Sequence, residues 1–286
     1  MKIIDIINGE KPSLSFEVFP PKTTDKYEIV SNAVKEIALL NPSYMSVTYG
    51  AGGGTSEFTS KIAKEVQSYG ITPLAHLSCI SSTKKQVYSE LEKLKSLGIN
   101  NILALRGDIP KDFDRNNLEF HYAYELIDEI KKHGDFCIGG ACYPECHPES
   151  LSIQKDFEYL KIKVEHGCDF LTTQMFFDNG VFFSFVEKLS KFGVNVSVIP
   201  GLMPVTNISQ LERIVLLSGN KLPDTFMRLV EKYADSPRSF QQASMEFTIK
   251  QAREIFSSGF NAVHIYSMNK PDVAREIQNN LKDIII

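Results

Sequence analysis

The sequence predicts one (β/α)8 domain, a TIM barrel over residues 1–286 with extra helices between its seventh and eighth strands. Three observations lead there. Short β-branched or apolar runs alternate with amphipathic segments along the chain. The first seven runs begin at intervals of roughly 30 residues, the length of a βαβ unit that returns the chain to start a parallel strand. No G-x-G-x-x-G follows the first run, which counts against a doubly wound sheet, the alternative arrangement.

The runs are Leu14–Phe19, Tyr44–Tyr49, Pro73–Cys79, Asn101–Arg106, Cys137–Tyr143, Phe170–Phe177, Val196–Gly201 and Ala262–Ser267. Between the second and third, Phe58, Ile62, Val66 and Tyr69 recur at helical spacing, as do Val87, Leu91 and Leu94 between the third and fourth. Thr83 and Gln86 have the spacing of a capping box, and Gly70 and Gly98 stand where helix C-caps belong. The long last interval accommodates helices over Leu211–Leu217, Asp224–Tyr233 and Arg238–Phe256. The run Gly50-Ala51-Gly52-Gly53-Gly54 reads equally as a close approach to a ligand and as a plain loop.

Composition narrows the function classes. With 31 Lys and Arg against 35 Asp and Glu, the net charge is −4, so no basic excess is available to release counterions from nucleic acid. No apolar run approaches the ~20 residues of a membrane span, and Met1-Lys2-Ile3-Ile4-Asp5 meets an acid before a secretory core develops. Five cysteines, an odd number in a chain of this size, point to free thiols and the cytoplasm.

Parallel barrels carry their chemistry where strands end. In the first strand Leu14, Phe16 and Val18 alternate with Ser15, Glu17 and Phe19; the first set suits packing against helices, which puts Glu17 inside the barrel near its mouth. Ser46 and Thr48, then His76 and Ser78, alternate in the same way in the next two. The fourth ends in Arg106-Gly107-Asp108, the fifth in Tyr143-Pro144-Glu145 with His147 close behind, and the sixth carries Gln174. Plainer readings accompany each. Glu17 could pair with Arg106, His76 could be a hydrogen-bonded core histidine, and Gln210, three residues after Asn207, could complete a capping box. Cys142, Cys146 and His147 offer three metal donors without a second pair at zinc-like spacing, so no metal site is assigned.

These segments resemble the flavin-dependent methylenetetrahydrofolate reductases in their short bacterial form. The resemblance is carried by Ser15-Phe16-Glu17-Val18-Phe19-Pro20-Pro21-Lys22, Val47-Thr48-Tyr49-Gly50-Ala51, Ala75-His76-Leu77-Ser78-Cys79 and Ala104-Leu105-Arg106-Gly107-Asp108-Ile109-Pro110. It continues through Tyr143-Pro144-Glu145-Cys146-His147-Pro148-Glu149, Thr173-Gln174-Met175-Phe176-Phe177-Asp178, Pro200-Gly201-Leu202-Met203-Pro204-Val205 and His264-Ile265-Tyr266-Ser267-Met268-Asn269. The order is the family's, and the segments span nearly the whole chain.

The resemblance implies a (β/α)8 fold, bound FAD, and NADH or NADPH as hydride donor. The reaction it implies reduces 5,10-methylenetetrahydrofolate to 5-methyltetrahydrofolate, with the two substrates alternating over the flavin, in a cytoplasmic homo-oligomer that supplies methyl groups for methionine synthesis. Carried over by motif, Glu17 is the general acid and Asp108 the carboxylate between flavin and pterin. Thr48, Gln174, Gln210 and Lys270 contact substrate. FAD contacts are implied for Thr48, Ala51, His76, Arg106, Gly107, Asp108, Tyr122, Ala123, Ala141, Tyr143, His147, Asp156 and Lys163. Asp156 and Lys163 lie seven apart on one helix face, so both can address one ligand, although a solvated charge pair has the same spacing.

Two departures stand out. Lys270 replaces an arginine common in relatives and gives up its planar fork, and Ile214 replaces an aromatic. Since the chain ends soon after the barrel, neither the C-terminal regulatory domain of longer relatives nor inhibition by S-adenosylmethionine is expected. Two other classes compete with the reductase: a flavin-free folate-binding barrel, and a metal-dependent methyltransferase using Cys142, Cys146 and His147.

Overall fold

A computed structural model describes residues 1–49, 56–108, 118–211, 214–215, 219 and 221–285, with Ser56 and Gln210 described by backbone alone. Strands and helices alternate as the spacing predicts. The chain begins with α1 (Ile3–Ile7), β1 (Ser13–Val18), α2 (Tyr27–Ala38), β2 (Tyr44–Val47), α3 (Ser56–Ser68), β3 (Pro73–Ser78) and α4 (Lys84–Ser96). It continues through β4 (Asn101–Leu105), α5 (Ala123–His133), β5 (Cys137–Cys142), α6 (Ile153–Glu165), β6 (Phe170–Thr173) and α7 (Asn179–Lys191). Last come β7 (Ser197–Ile199), β8 (Gly201–Leu202), α8 (Asp224–Lys232), α9 (Pro237–Ser257), β9 (Ala262–Ile265) and α10 (Pro271–Ile285).

The strands form one near-closed parallel sheet in the order β7-β6-β5-β4-β3-β2-β1-β9-β8, wrapped by helices in an α/β barrel-like fold. It has nine strands rather than the expected eight because Pro200 divides the predicted Val196–Gly201 strand. Proline has no N–H for the ladder, so β7 pairs with β6 on one side of the break and β8 with β9 on the other. The two ends of the sheet are thus neighbours in the chain, and Pro200 still accepts a bond from His264 N at 2.9 Å.

Local signals behave as their chemistry requires. Thr83 Oγ1 accepts from Gln86 N at 3.2 Å while Gln86 Oε1 accepts from Thr83 N at 2.7 Å, the reciprocal capping box. Gly70 and Gly98 have φ of +81° and +70°, the left-handed conformation that ends α3 and α4. α8 and α9 lie where extra helices were expected, whereas most of Leu211–Leu217 falls outside the described residues.

Two apolar layers follow from strand alternation. Leu14, Phe16, Val18, Met45, Val47 and Leu77 point outward and pack beneath the helices. Tyr44, Leu74, Leu103, Cys137 and Phe170 point inward at the N-terminal end of the strands, where Ile3 and Ile7 of α1 close the barrel floor. α1 has no side-chain N-cap of its own; Asn101 Oδ1 accepts from Ile3 N at 2.8 Å, and Asn101 Nδ2 donates to Met1 O at 3.1 Å. This leaves polar chemistry to the opposite, C-terminal end.

Truncating the plug tests its packing. Ile3 is fully buried, so Ile3→Ala should lower the unfolding free energy by about 2–5 kcal/mol in urea titrations. A loss below about 1 kcal/mol would mean that the floor is held by other contacts.

Candidate active site

The register of β1 builds the centre of the site. It sets Glu17 beside Ser46 of β2 and Ser15 beside His264 of β9, all facing the barrel interior. Ser15 Oγ lies 2.7 Å from His264 Nδ1, and Ser46 Oγ lies 3.3 Å from His264 Nε2. The same Ser46 hydroxyl donates to Glu17 Oε2 at 3.4 Å. His76 Nε2, from β3, stands 3.6 Å from Glu17 Oε2, too far for a hydrogen bond, and has no other partner among the described residues.

Glu17 is 7 % exposed, and burial raises its pKa to about 8 against a weaker downward pull from Ser46. Burial lowers both His76 and His264 to about 3. Near neutral pH the acid keeps its proton and the imidazoles take none up. At 3.6 Å the attraction between a charged pair does not repay desolvation of two ions, so Glu17 and His76 face each other uncharged.

Above this neutral floor opens a cavity of about 1030 Å³, at the upper end of the range for ligand pockets. Glu17, Thr48, Asp108, Gln174 and Lys270 line it. So do His76, Arg106, Gly107 and Ala141 from the strand ends, and Tyr143 and His147 from the segment after β5. Tyr122 and Ala123 reach it at the start of α5, and Asp156 and Lys163 from α6. The sequence-derived candidates that the structure describes with side chains therefore converge on one space. Ala51 lies outside the described residues, as does the side chain of Gln210; Asn207 caps the 3-10 turn Ile208–Gln210 by accepting from Ser209 N at 3.0 Å.

Local structure explains several positions. Gly107 has φ +85°, and a Cβ there would sit 2.0 Å from Ser78 Oγ, so only glycine lets the chain turn this closely over β3. Asp156 Oδ2 accepts from His147 N at 3.1 Å, tying the segment after β5 to α6. Two turns on, the enclosed ammonium of Lys163 donates to Ala141 O at 2.8 Å, forms no ion pair among the described residues, and is lowered in pKa by burial. Gln174 Oε1 accepts from Met175 N at 3.0 Å, and Lys270 Nζ donates to Thr206 Oγ1 at 2.5 Å.

The plainer readings divide. Arg106 pairs with Glu149 at 2.6 Å rather than with Glu17, and His76 is not a hydrogen-bonded core histidine at its Nε2. Cys142 packs in the outer apolar layer while His147 lines the cavity, and the described residues contain no cluster of three His, Cys, Asp or Glu able to hold a metal. The inward Ser15–His264 pair went unrecognised because it joins residues 249 apart. Tyr266, another lining residue whose hydroxyl donates to Thr173 O at 2.5 Å, was visible only as part of a motif.

The cavity lining combines cationic, polar and aromatic side chains, a chemistry that fits an anionic ligand with planar rings. Lys163, enclosed and near Asp156, Arg106 at the mouth, a His76 Nε2 without a hydrogen-bond partner among the described residues and a tight glycine turn offer groups that could meet anions and rings. Comparison with known proteins agrees with the geometry: the model of the methylenetetrahydrofolate reductase family matches residues 2–282. The chain belongs to this family.

Methylenetetrahydrofolate reductase 1 of Schizosaccharomyces pombe is 34 % identical over 278 residues, covering 95 % of this chain and 46 % of that protein. Methylenetetrahydrofolate reductase (NADH) 1 of Arabidopsis thaliana is 32 % identical, over 98 % of this chain and 51 % of its own length. The chain thus spans about half the length of these two relatives. It covers 90 % of the 5,10-methylenetetrahydrofolate reductase of Escherichia coli, at 30 % identity over 94 % of this chain. A solved structure from Clostridium thermocellum, described as binding two copies of 5-methyl-5,6,7,8-tetrahydrofolic acid, superposes with a TM-score of 0.66 over 99 % of both chains. At 15 % identity it attests the fold. No described helix is long and apolar enough to cross a membrane.

The raised pKa of Glu17 has a thermodynamic consequence. Between 4.5 and about 8 the native state holds a proton that the unfolded chain has lost, so stability falls as pH rises through that window. Glu17→Gln removes the penalty. Its melting temperature should gain on the parent's between pH 5 and 8 and change little relative to it below pH 4.5. A pH-independent difference would contradict a buried neutral acid.

Proposed function

We propose that this chain is a flavoprotein reductase that converts 5,10-methylenetetrahydrofolate to 5-methyltetrahydrofolate, with hydride drawn from NADH or NADPH through bound FAD. The observation that carries this reading is the uncharged carboxyl of Glu17 at the base of a dinucleotide-sized cavity in a member of this family. Its five cysteines are free thiols, which fits a reducing, cytoplasmic setting.

Bound FAD would accept hydride from the nicotinamide and deliver it to the folate's one-carbon bridge in a second, separate encounter. The residues proposed to hold it are Thr48, His76, Arg106, Gly107, Asp108, Tyr122, Ala123, Ala141, Tyr143, His147, Asp156 and Lys163, with Ala51 added by the family motif. Arg106 and Lys163 would meet its pyrophosphate, since no Rossmann-type helix terminus is available for that charge.

The folate bridge is a poor hydride acceptor until its five-membered ring opens to an iminium cation. Opening requires a proton on the departing nitrogen. Glu17, whose pKa burial raises to about 8, would give that proton from within the barrel, and the Ser46 hydroxyl would then stabilise the carboxylate left behind. Asp108 at the end of β4 would hold the pterin and favour the cation by its charge. The Gln174 amide offers a donor and an acceptor to folate and nicotinamide in turn. Lys270 would meet a folate carboxylate, with Gln210 as a further contact.

Stopped-flow spectroscopy separates the two half-reactions. The purified protein should be yellow and bleach anaerobically with NADH or NADPH. Glu17→Gln should keep that bleaching and lose about 10²–10⁴-fold in reoxidation by methylenetetrahydrofolate. In the parent, reoxidation should decline as pH passes about 8, where Glu17 loses its proton. Equal loss of both half-reactions would remove Glu17 from the role of proton donor.

A further inference from the structure

Arg106 leaves the end of β4 and is met at the cavity mouth by Glu149, from the segment between β5 and α6. Arg106 Nη1 stands 2.6 Å from Glu149 Oε2, while Arg106 Nε donates to Gly107 O at 3.2 Å. The two side chains differ in setting: Arg106 is 22 % exposed and Glu149 57 %. The backbone under Glu149 is tied locally, its N–H donating to His147 Nδ1 at 3.1 Å and Ser150 N donating to His147 O at 2.9 Å. At 57 % exposure the Glu149 carboxylate stays hydrated when a stronger anion takes its place on Arg106.

The same cavity wall carries Lys163, whose enclosed ammonium donates to Ala141 O and feels the Asp156 carboxylate without forming a salt bridge among the described residues. One cation is thus covered by a carboxylate on a solvent-exposed arm, and the other, bonded to a carbonyl, forms no salt bridge among the described residues. We infer that Glu149 is a displaceable counter-ion, a specificity-determining residue that the anionic group of an incoming ligand must replace on Arg106. The inference rests on the flavin reading and adds to it the basis on which this cavity chooses among flavins and other anions.

The charge arithmetic gives the selection. A singly charged anion that replaces Glu149 exchanges one charge for another and gains little. A pyrophosphate can take Arg106 through two parallel hydrogen bonds and meet Lys163 as well, so it outcompetes a single carboxylate. A partly exposed ion pair is weak, so Glu149 filters ligands without blocking them. A neutral flavin has no group with which to displace it.

The test titrates FAD, ADP and riboflavin into the flavin-depleted protein, parent and Glu149→Gln, following flavin fluorescence or heat. Removing the competing charge should tighten both FAD and ADP by roughly fivefold and leave riboflavin unchanged. Both gains should shrink at high salt. Equal ADP affinity in the two proteins, a parallel change for riboflavin, or weaker FAD binding to the variant would overturn the role of Glu149. A retained ADP gain in a protein that binds no flavin would uphold Glu149 and refute the flavin reading instead. Melting curves check that the substitution, made at an exposed side chain, leaves the fold intact.

Discussion

The site depends on a carboxyl group taken out of water with no cation beside it among the described residues. Glu17 lies inside a near-closed parallel sheet, and its surroundings are polar but uncharged: one serine hydroxyl donates to it, and the imidazole facing it is held neutral by the same burial. An arginine in place of Ser46 or His76 would hold Glu17 ionised, and it would have no proton to give. The position of Arg106 is therefore as important as its charge, since at the mouth of the cavity it pairs with Glu149 and leaves the acid alone.

Several distant features serve that condition. The outward faces of the strands are mostly apolar under the helices, and the polar side chains that line the cavity come from the inner face near the C-terminal ends. α1 seals the barrel floor with Ile3 and Ile7, and Asn101 satisfies the backbone donor that would otherwise be stranded there. Formal charges line the cavity above Glu17: Arg106 and Glu149 at its mouth, and Asp156 and Lys163 enclosed in its wall, with Asp108 and Lys270 beside them. Neutral acid below and charged lining above divide the labour between moving a proton and holding anionic ligands.

Much of this was legible from one-dimensional pattern. Alternation in Leu14–Phe19 was enough to turn Glu17 inward, because a strand buried on both faces still separates its apolar and polar sets by parity. Capping pairs and C-cap glycines are local signals and were read correctly at Thr83, Gln86, Gly70 and Gly98. What escaped depends on register between remote strands or on side chains reaching across loops. Ser15 and His264 meet only because β1 lies beside β9, and Arg106 finds Glu149 rather than Glu17. The division of the seventh predicted strand follows from Pro200, whose missing N–H interrupts the ladder while its flanking residues keep the apolar pattern of one strand. α1 went unseen since five residues with no side-chain N-cap carry too short a periodic signal.

The account is tested most directly by watching the proton on Glu17. Infrared difference spectra between the parent protein and Glu17→Gln isolate the carboxyl stretch of this one side chain across a pH series. A protonated carboxyl band present at pH 7 and lost with a midpoint near 8 is the predicted result. A carboxylate already formed at pH 6 would contradict it, for a charged Glu17 in that position has no proton to donate.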